Sequence, residues 1–376
     1  MDSIDEYRFD GEFVLIAEDG GYWGKHEPSS YIMRGKFWVN NHAHVIRERD
    51  GVSNNLFLSC QLNFMDISPL IGGDARGKLT KSILERLPLV IPPLAEQQKI
   101  AEVLGLVQRA LEQQARLIAL TTELKKALLH QLFTQGLRGE PQKQTDIGPV
   151  PESWELRACD ELCEMITVGV VVKPASHYVK SGVPAFRSMN VREDRLEVTE
   201  LVYFSQETND TILAKSKLQT GDVLIVRTGY PGTSCVVPEE YHGANCIDLV
   251  IARPQLKVIQ SGFLSRFFNS DAGKRQALSA KHGLAQQHLN VGAVKRTLIP
   301  VPQLGEQREI DAALAIVERK LALHMSKHAA LTALFRTLLH QLMTAEVRVH
   351  DVDLSDLGVD CETGDKPEAC QPLAGG

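Results

Sequence analysis

Residues Pro92 to Thr134 and Pro302 to Thr344 align without a gap at a separation of 210 residues, so the chain is built from two copies of one plan. PPLAEQQKIAEVLGLVQRAL stands over PQLGEQREIDAALAIVERKL, and KKALLHQLFT over FRTLLHQLMT. Glu96/Glu306, Gln97/Gln307, Ile100/Ile310, Leu104/Leu314, Val107/Val317 and Leu111/Leu321 coincide. Chance does not hold register over so long a stretch.

Both copies read as long helices. Ile100, Leu104, Val107, Leu111, Ile118, Leu124, Leu128 and Leu132 recur at spacings of three and four or their sums, as do Ile310, Leu314, Val317, Leu321, Met325, His328, Leu331, Leu338 and Leu342. Prolines precede each start, and Gly136 follows the first copy as a C-terminal cap. A rod of roughly 60 Å results at 1.5 Å per residue, and its single apolar seam requires a helical partner, for which the other copy is the obvious one. The spacing alone fits equally a coiled coil used only for assembly.

Between the helices the pattern changes to short apolar runs broken by Gly and Pro, such as GDVLIVRTGYPGTSCVV, CIDLVIARP and RTLIPVP. These predict a mixed domain of strands and tight turns over 151–301, with a helix near Gly262 to Leu278 and Trp154 anchoring its core. Gly11 to Ile16 falls over Gly221 to Val226 at the same separation, Leu79 falls over Leu289, and Asn41 with its following strand matches Asn245 after a short deletion. Residues 1–91 thus resemble only the later part of the second domain, and about sixty residues of the first copy are expected to lie outside this sequence. A decayed gene, a separately encoded half-domain and a misassigned start each account for that. The expected plan is α+β: part of one mixed domain (1–91), a long helix (92–136), a linker (137–150), a second mixed domain (151–301), a second long helix (302–345) and an acidic tail (346–376) without fixed structure.

Charge excludes less than it first suggests. The net charge is -6, but residues 346–376 carry eight acids and two bases, so the rest of the chain is neutral and leaves room for a local basic face. The seven cysteines form no CxxC pair and no zinc spacing, and they read as reduced thiols. No apolar run of membrane length and no signal peptide is present, which makes the cytoplasm the expected compartment. No methylase Asn-Pro-Pro-Tyr or Asp-Pro-Pro-Tyr motif occurs. The nearest approach to a phosphate-binding loop, Gly20 to His26, is one residue short and ends in His where Ser or Thr must hold magnesium.

A mixed domain followed by a long helix opening PPLAEQQKI, repeated as PQLGEQREI, with IGPVPESWEL opening the second domain, resembles the specificity subunits of type I restriction-modification systems. The resemblance covers nearly the whole chain. It implies a non-catalytic host-defence protein with two mixed α/β target recognition domains, the first incomplete, separated by two long antiparallel coiled-coil helices. It implies double-stranded DNA as ligand, each domain reading one half of a bipartite site. Methyltransferase subunits, a restriction subunit that translocates and cuts, and a separately encoded half-domain or a second copy are the implied partners. No cofactor is expected on this chain, and S-adenosylmethionine, ATP and Mg are expected on the partner subunits.

Base edges are read by Arg, Lys, Asn and Gln, and phosphates by whatever basic groups lie beside them. Ser270 to Arg296 is the most basic stretch, with Lys274, Arg275, Lys281, His282, Gln286, Gln287, His288, Lys295 and Arg296 against the single acid Asp271. FRSMNVR adds Arg187, Ser188, Asn190 and Arg192, and the first domain offers Asn40, Asn41, His42, Arg76, Lys78 and Lys81. The turn Arg227 to Thr233 suits either phosphate binding through its backbone N–H groups or the capping of a strand. Glu96, Gln97, Glu306, Gln307, His130, Gln131, His340 and Gln341 are candidates for partner-subunit contact. The acids equally suit first turns, and the histidines equally suit helix C-termini.

Overall fold

The structure is a computed structural model that describes residues 6–71, 77–279 and 288–351. It divides into two compact units, residues 1–116 with 325–376, and residues 117–324. Each long helix gives one end to each unit.

In the first unit β1 (Phe9–Ala17) lies between β2 (Ser30–Phe37) and β3 (Ala43–Ile46), all antiparallel. Alternation along β1 turns Val14 and Ile16 toward α1 (Asn55–Phe64), where they share a core with Leu58, Leu62, Ile67 and Leu79. Asn54 caps α1 by accepting from Phe57 N at 3.0 Å, and Thr80 caps the single turn α2 (Lys81–Leu84). The long helix α3 (Leu94–Gln135) follows Pro93, and its Ile100, Val103 and Leu104 pack with Phe57, Cys60, Leu339 and Leu342. Gly136 then ends the helix at φ 66°, as its position predicts.

The second unit opens with a hairpin, β4 (Gln142–Thr145) and β5 (Gly148–Pro151). The expected linker is therefore partly folded, and Ile147 and Val150 bury in the core around Trp154. Next come β6 (Glu155–Ala158), α4 (Cys159–Leu162), β7 (Cys163–Val168), β8 (Tyr178–Val179), β9 (Val183–Phe186), β10 (Val191–Arg192), β11 (Arg195–Leu196), β12 (Val202–Phe204) and α5 (Gln206–Asp210). Then follow β13 (Val223–Val226), β14 (Ser234–Val236), β15 (Asn245–Cys246), β16 (Leu249–Pro254), α6 (Ser261–Asn269), α7 (Asp271–Ser279), α8 (Val291–Arg296), β17 (Leu298–Val301) and α9 (Leu304–Met343). The central sheet runs β14-β13-β16-β7, a second runs β15-β9-β12-β8, and β17 pairs with β6. Val223 and Ile225 face α6, while Leu224 and Val226 face the core around Phe186. In this unit Leu129, Leu132 and Phe133 near the end of α3 join one core with Ile310 and Leu314 near the start of α9, so the two helices run antiparallel.

Three details of the sequence reading change. The strands match at a separation of 209, Val14-Leu15-Ile16 on Val223-Leu224-Ile225, because 210 would put each inward residue on an outward one. Asn41 is exposed, whereas Asn245 is enclosed in β15 and donates to Asn209 at 2.8 Å. The strand matching β3 is therefore β16, 206 residues on. The buried seam passes through Gln114, Thr121 and Lys125 rather than Leu124, which is 55% exposed, and through His324 rather than Met325. Spacing of four and three alternately from Ile100 and from Ile310 selects these polar residues over their apolar neighbours.

The expected tail is ordered at its start. Val349 buries beside Leu339 and Leu342, and Arg348 meets Glu96 at 3.3 Å.

Candidate nucleic-acid interface

At the end of β13 the chain turns through Arg227-Thr228-Gly229-Tyr230-Pro231-Gly232. Gly229 (φ 85°) and Gly232 (φ 90°) take up left-handed backbone, and Tyr230 stands 82% exposed at the tip. Leu289 N donates to Arg227 O at 3.0 Å, and Arg227 Nε returns a bond to Leu289 O at 3.1 Å, so the segment leading into α8 is tied to the turn. Thr228 Oγ1 and His288 Nδ1 lie 2.6 Å apart, and the Arg227 guanidinium pairs with Asp248. Asp248 N in turn donates to Val170 O, which brings exposed Val172 and Lys173 to the same rim.

The first unit repeats this frame with other side chains. β1 ends in Glu18-Asp19-Gly20-Gly21-Tyr22, with Gly20 at φ 62° and Tyr22 66% exposed. Leu79 N donates to Glu18 O at 2.8 Å, and Asp19 meets His42 at 2.9 Å and Lys78 at 3.4 Å. The hydrogen bond from His42 and the nearby Lys78 hold the Asp19 carboxyl below its ordinary value. Asp19/Thr228, His42/Asp248 and Lys78/His288 are thus corresponding positions with different chemistry. Arg76, and likewise Lys281, His282, Gln286 and Gln287, lie outside the described residues, in segments that immediately precede Lys78 and His288 in sequence.

Other predicted readers are placed elsewhere. Asn190 is fully enclosed. Its Oδ1 accepts from Arg187 N at 2.9 Å, and its Nδ2 donates to Glu197 O and Thr199 O, so it shapes a turn and presents nothing to a base. Arg187 donates to Glu200 O, Arg192 pairs with Glu197 at 2.9 Å, and Ser188 is half-buried beside them. Two cations of the basic stretch are answered by acids and a third by a carbonyl. Lys274 pairs with Glu193, Lys295 meets Asp160 at 3.0 Å, and Arg275 donates to Ile147 O at 3.3 Å. Arg296 is exposed, Asn40 accepts from His42 N at 3.0 Å, and Lys81 pairs along its own turn with Glu85.

The matched helix starts serve an internal purpose. Gln97 and Gln307 were candidates for a partner surface, but both are fully enclosed. Gln307 accepts from Gln260 N at 2.8 Å and donates to Val258 O and Pro302 O, and Gln97 does the same with Asn54 N, Val52 O and Pro92 O. Both donors and the acceptor oxygen of each enclosed amide fasten a helix start to its own domain, which removes both from the partner-facing set. Glu96 and Glu306 stay half-exposed beside Arg348 and the Leu137 N–H. His130 lies 3.7 Å from Asp271, His340 lies 3.3 Å from Glu346, Gln131 is exposed and Gln341 is half-buried.

Sequence reasoning missed three features. The two exposed tyrosines follow a glycine in both copies, 208 residues apart, which is the signal that was available. Ser30-Ser59-Asn63 and Ser234-Ser265-Asn269 form the same buried bonds. Each Asn accepts from the first Ser N–H, at 2.7 and 2.9 Å, and the paired hydroxyls lie 2.9 and 3.2 Å apart. FLS in α1 and in α6, 206 residues apart, signals it. A buried charge cluster also joins Lys125 to Asp194 (2.8 Å) and Glu318 (2.9 Å), and Arg266 to Glu318 (2.6 Å) and Asp311 (2.6 Å). Burial works against the Lys125 ammonium, but the two carboxylates outweigh it and raise its pKa. Asp194 is likewise held low by Lys125 and Arg266 against the effect of burial.

Comparison with known proteins fits this duplicated plan. Residues 1–122 and 151–333 match the family described as type I restriction modification DNA specificity domain. The chain belongs to this specificity family.

Among members, the MjaVIII specificity subunit of Methanocaldococcus jannaschii is 22% identical over 349 residues, covering 90% of this chain and 80% of that subunit. A Haemophilus influenzae relative, S.HindORF215P, is 41% identical over 104 residues, 28% of this chain. The match spans about a quarter (26%) of that relative's length. The crystal structure of the type I restriction-modification S subunit from M. genitalium shares the fold, with a TM-score of 0.61 at 15% identity over 90% of this chain and 84% of that one. The family is one of DNA specificity, not of catalysis. Among the described residues no cluster of His, Cys, Asp or Glu is arranged to hold a metal, and no helix is long and apolar enough to cross a membrane.

Proposed function

We propose that this specificity-family chain reads duplex DNA through the turn-tip faces of its units, Tyr230 with His288, Thr228 and Lys173 in the second and Tyr22 with Lys78 and His42 in the first. It would direct methyltransferase subunits, and a restriction subunit where one is present, to the sequence read. The observation that carries this reading is recurrence. Both units place an exposed tyrosine, a basic or imidazole side chain and a variable third group on one frame. An aromatic tip offers a stacking or apolar surface, while His, Lys and Thr offer donors to base edges and phosphates. Net charge contributes little, so affinity rests on local contacts and falls with salt. S-adenosylmethionine, ATP and Mg belong to the partner subunits in this reading.

The test is co-expression with a cognate methyltransferase and mapping of methylated sites across a genome. Methylation at one defined sequence supports the proposal, and its loss in Tyr230→Ala with His288→Ala locates the reader. Site-specific methylation unaffected by both substitutions would overturn the turn tip as the reader, and an assembled complex that methylates nothing would favour a purely assembly-forming coiled coil.

A further inference from the structure

In the second unit the turn that carries Tyr230 is joined to both long helices by one run of bonds. Thr233 O accepts from Val226 N at 2.8 Å and closes the turn. The next residue, Ser234, donates its N–H to Asn269 Oδ1 at 2.9 Å, and its carbonyl accepts from Asn269 Nδ2 and from Asp194 N, both at 2.9 Å. Asn269 Nδ2 also donates to Asp194 Oδ1 at 2.8 Å, while Asp194 Oδ2 accepts from Lys125 Nζ of α3 at 2.8 Å. Lys125 and Arg266 then share Glu318 of α9, and Arg266 reaches Asp311 as well. The buried Asp194 carboxylate is where the exit of the turn meets the helices.

The first unit shows that this joint needs no charge. Asn63 holds Ser30 as Asn269 holds Ser234, but no acid bonds to Asn63 among the described residues. The residues matching Arg266, Asp311 and Lys125 are Cys60, Ala101 and Phe335, which share one apolar core, and Gln108, matching Glu318, is exposed. Buried ion pairs are often no more stabilising than apolar residues of similar volume, so stability does not account for the charges in the second unit. What the charges supply, and an apolar core does not, is direction, because charge-assisted bonds hold at set distances and angles. We propose that Asp194 is a positioning residue for sequence reading, a role that rests on the reading of DNA by the Tyr230 turn proposed above. It fixes that turn against α3 and α9, so that the side chains at the tip meet base edges in one orientation without the cost of ordering them on binding. An amide at 194 does not substitute, since its Nδ2 would face one of two donors, Asn269 Nδ2 or Lys125 Nζ.

The probe is a pool of duplexes with a randomised core, selected on the full chain co-expressed with a cognate methyltransferase. The readout is the affinity for the selected duplex relative to that for the unselected pool. Asp194→Asn is expected to lower this ratio by about tenfold or more, blurring the same base positions that Tyr230→Ala blurs. Affinity for the unselected pool should stay within about twofold of the parent's, because sequence-independent contacts to phosphate do not depend on the aim of the turn. Lys125→Met should lower the ratio too and Lys125→Arg should retain it, a comparison that stands even if Asp194→Asn folds poorly. Gln307→Met, which destabilises the same unit away from this run of bonds, should leave the ratio in place. A ratio kept by Asp194→Asn but lost in Tyr230→Ala would overturn the positioning role and leave the reading turn standing. An equal loss in Gln307→Met would assign the effect to stability and overturn the role as well. A parent chain that selects no sequence would remove the reading of DNA and with it the role of Asp194.

Discussion

Replacing Gln307 with Met tests whether the repeated glutamine is an internal fastening or a surface awaiting a partner. Methionine keeps the length and approximate volume, so packing changes little. Three bonds disappear: Gln260 N–H to Oε1 at 2.8 Å, and Nε2 to Val258 O at 3.0 Å and to Pro302 O at 2.9 Å. At about 1 kcal/mol each the loss is about 3 kcal/mol, and the stranded Gln260 N–H raises it toward about 4 kcal/mol. A glutamine waiting for a partner would cost no more than about 0.5 kcal/mol. Trp154 is the one tryptophan of the second unit, so its fluorescence in a Trp23→Phe, Trp38→Phe background follows that unit alone during urea unfolding. With a slope of about 2–3 kcal/mol per molar, the midpoint should fall by at least about 1 M. Gln97→Met should leave the Trp154 transition in place, because its bonds lie in the other unit. A Gln307→Met midpoint within about 0.2 M of the parent's, combined with lost capture of a methyltransferase, would refute the fastening and restore the glutamine to the partner surface.

Tyr230→Ala should weaken binding to a specific duplex by roughly tenfold or more, within the range of about 1–3 kcal/mol for a stacked aromatic, while the Trp154 unfolding midpoint stays put. Asp194→Asn should destabilise the second unit across the neutral range. The folded carboxyl lies below the unfolded value near 3.8, so its contribution is complete above that pH, and the gap between parent and variant should close only as pH falls through the lowered folded value, read by melting at stepped pH. Asn269→Leu should cost more than Asn63→Leu, each by about 1–3 kcal/mol per stranded group, because Asn269 also donates to Asp194 at 2.8 Å; unfolding followed in each unit measures the difference. Cys60, Cys159, Cys163, Cys235 and Cys246 are buried, with the Cys60 thiol pushed up to about 12 by burial, so iodoacetamide on the native chain should leave all five unlabelled in a peptide digest.

The helices were legible because their signal is long. Forty residues of conserved register survive a few polar intrusions, and only the seam's middle was misplaced, where Gln114, Thr121 and His324 take positions that apolar neighbours seemed to claim. Strand register was not legible at the same separation. A strand offers four or five residues, and Gly11 over Gly221 fixed an alignment one residue away from the one that Val14 and Val223 occupy in their cores. The site suffered for a related reason. Residue type marks what a side chain is able to do, but Asn190, Gln97 and Gln307 spend that ability on backbone groups of their own domain, and nothing in a single sequence separates the two uses.

Duplication itself supplies the separation that residue type does not. Where the copies agree inside the fold, they agree on carpentry: the Ser-Ser-Asn triad, the glutamine at each helix start, and the glycine of the strand-end turn. Where they disagree on the same frame, the position is free of that carpentry. Asp19 against Thr228, His42 against Asp248 and Lys78 against His288 all fall on the exposed rim, and each exchange alters the hydrogen-bonding code offered to a ligand. A frame held constant under a changing rim is what two readers of different sequences require, whereas a coil used only for assembly places no such demand on the tips of its domains.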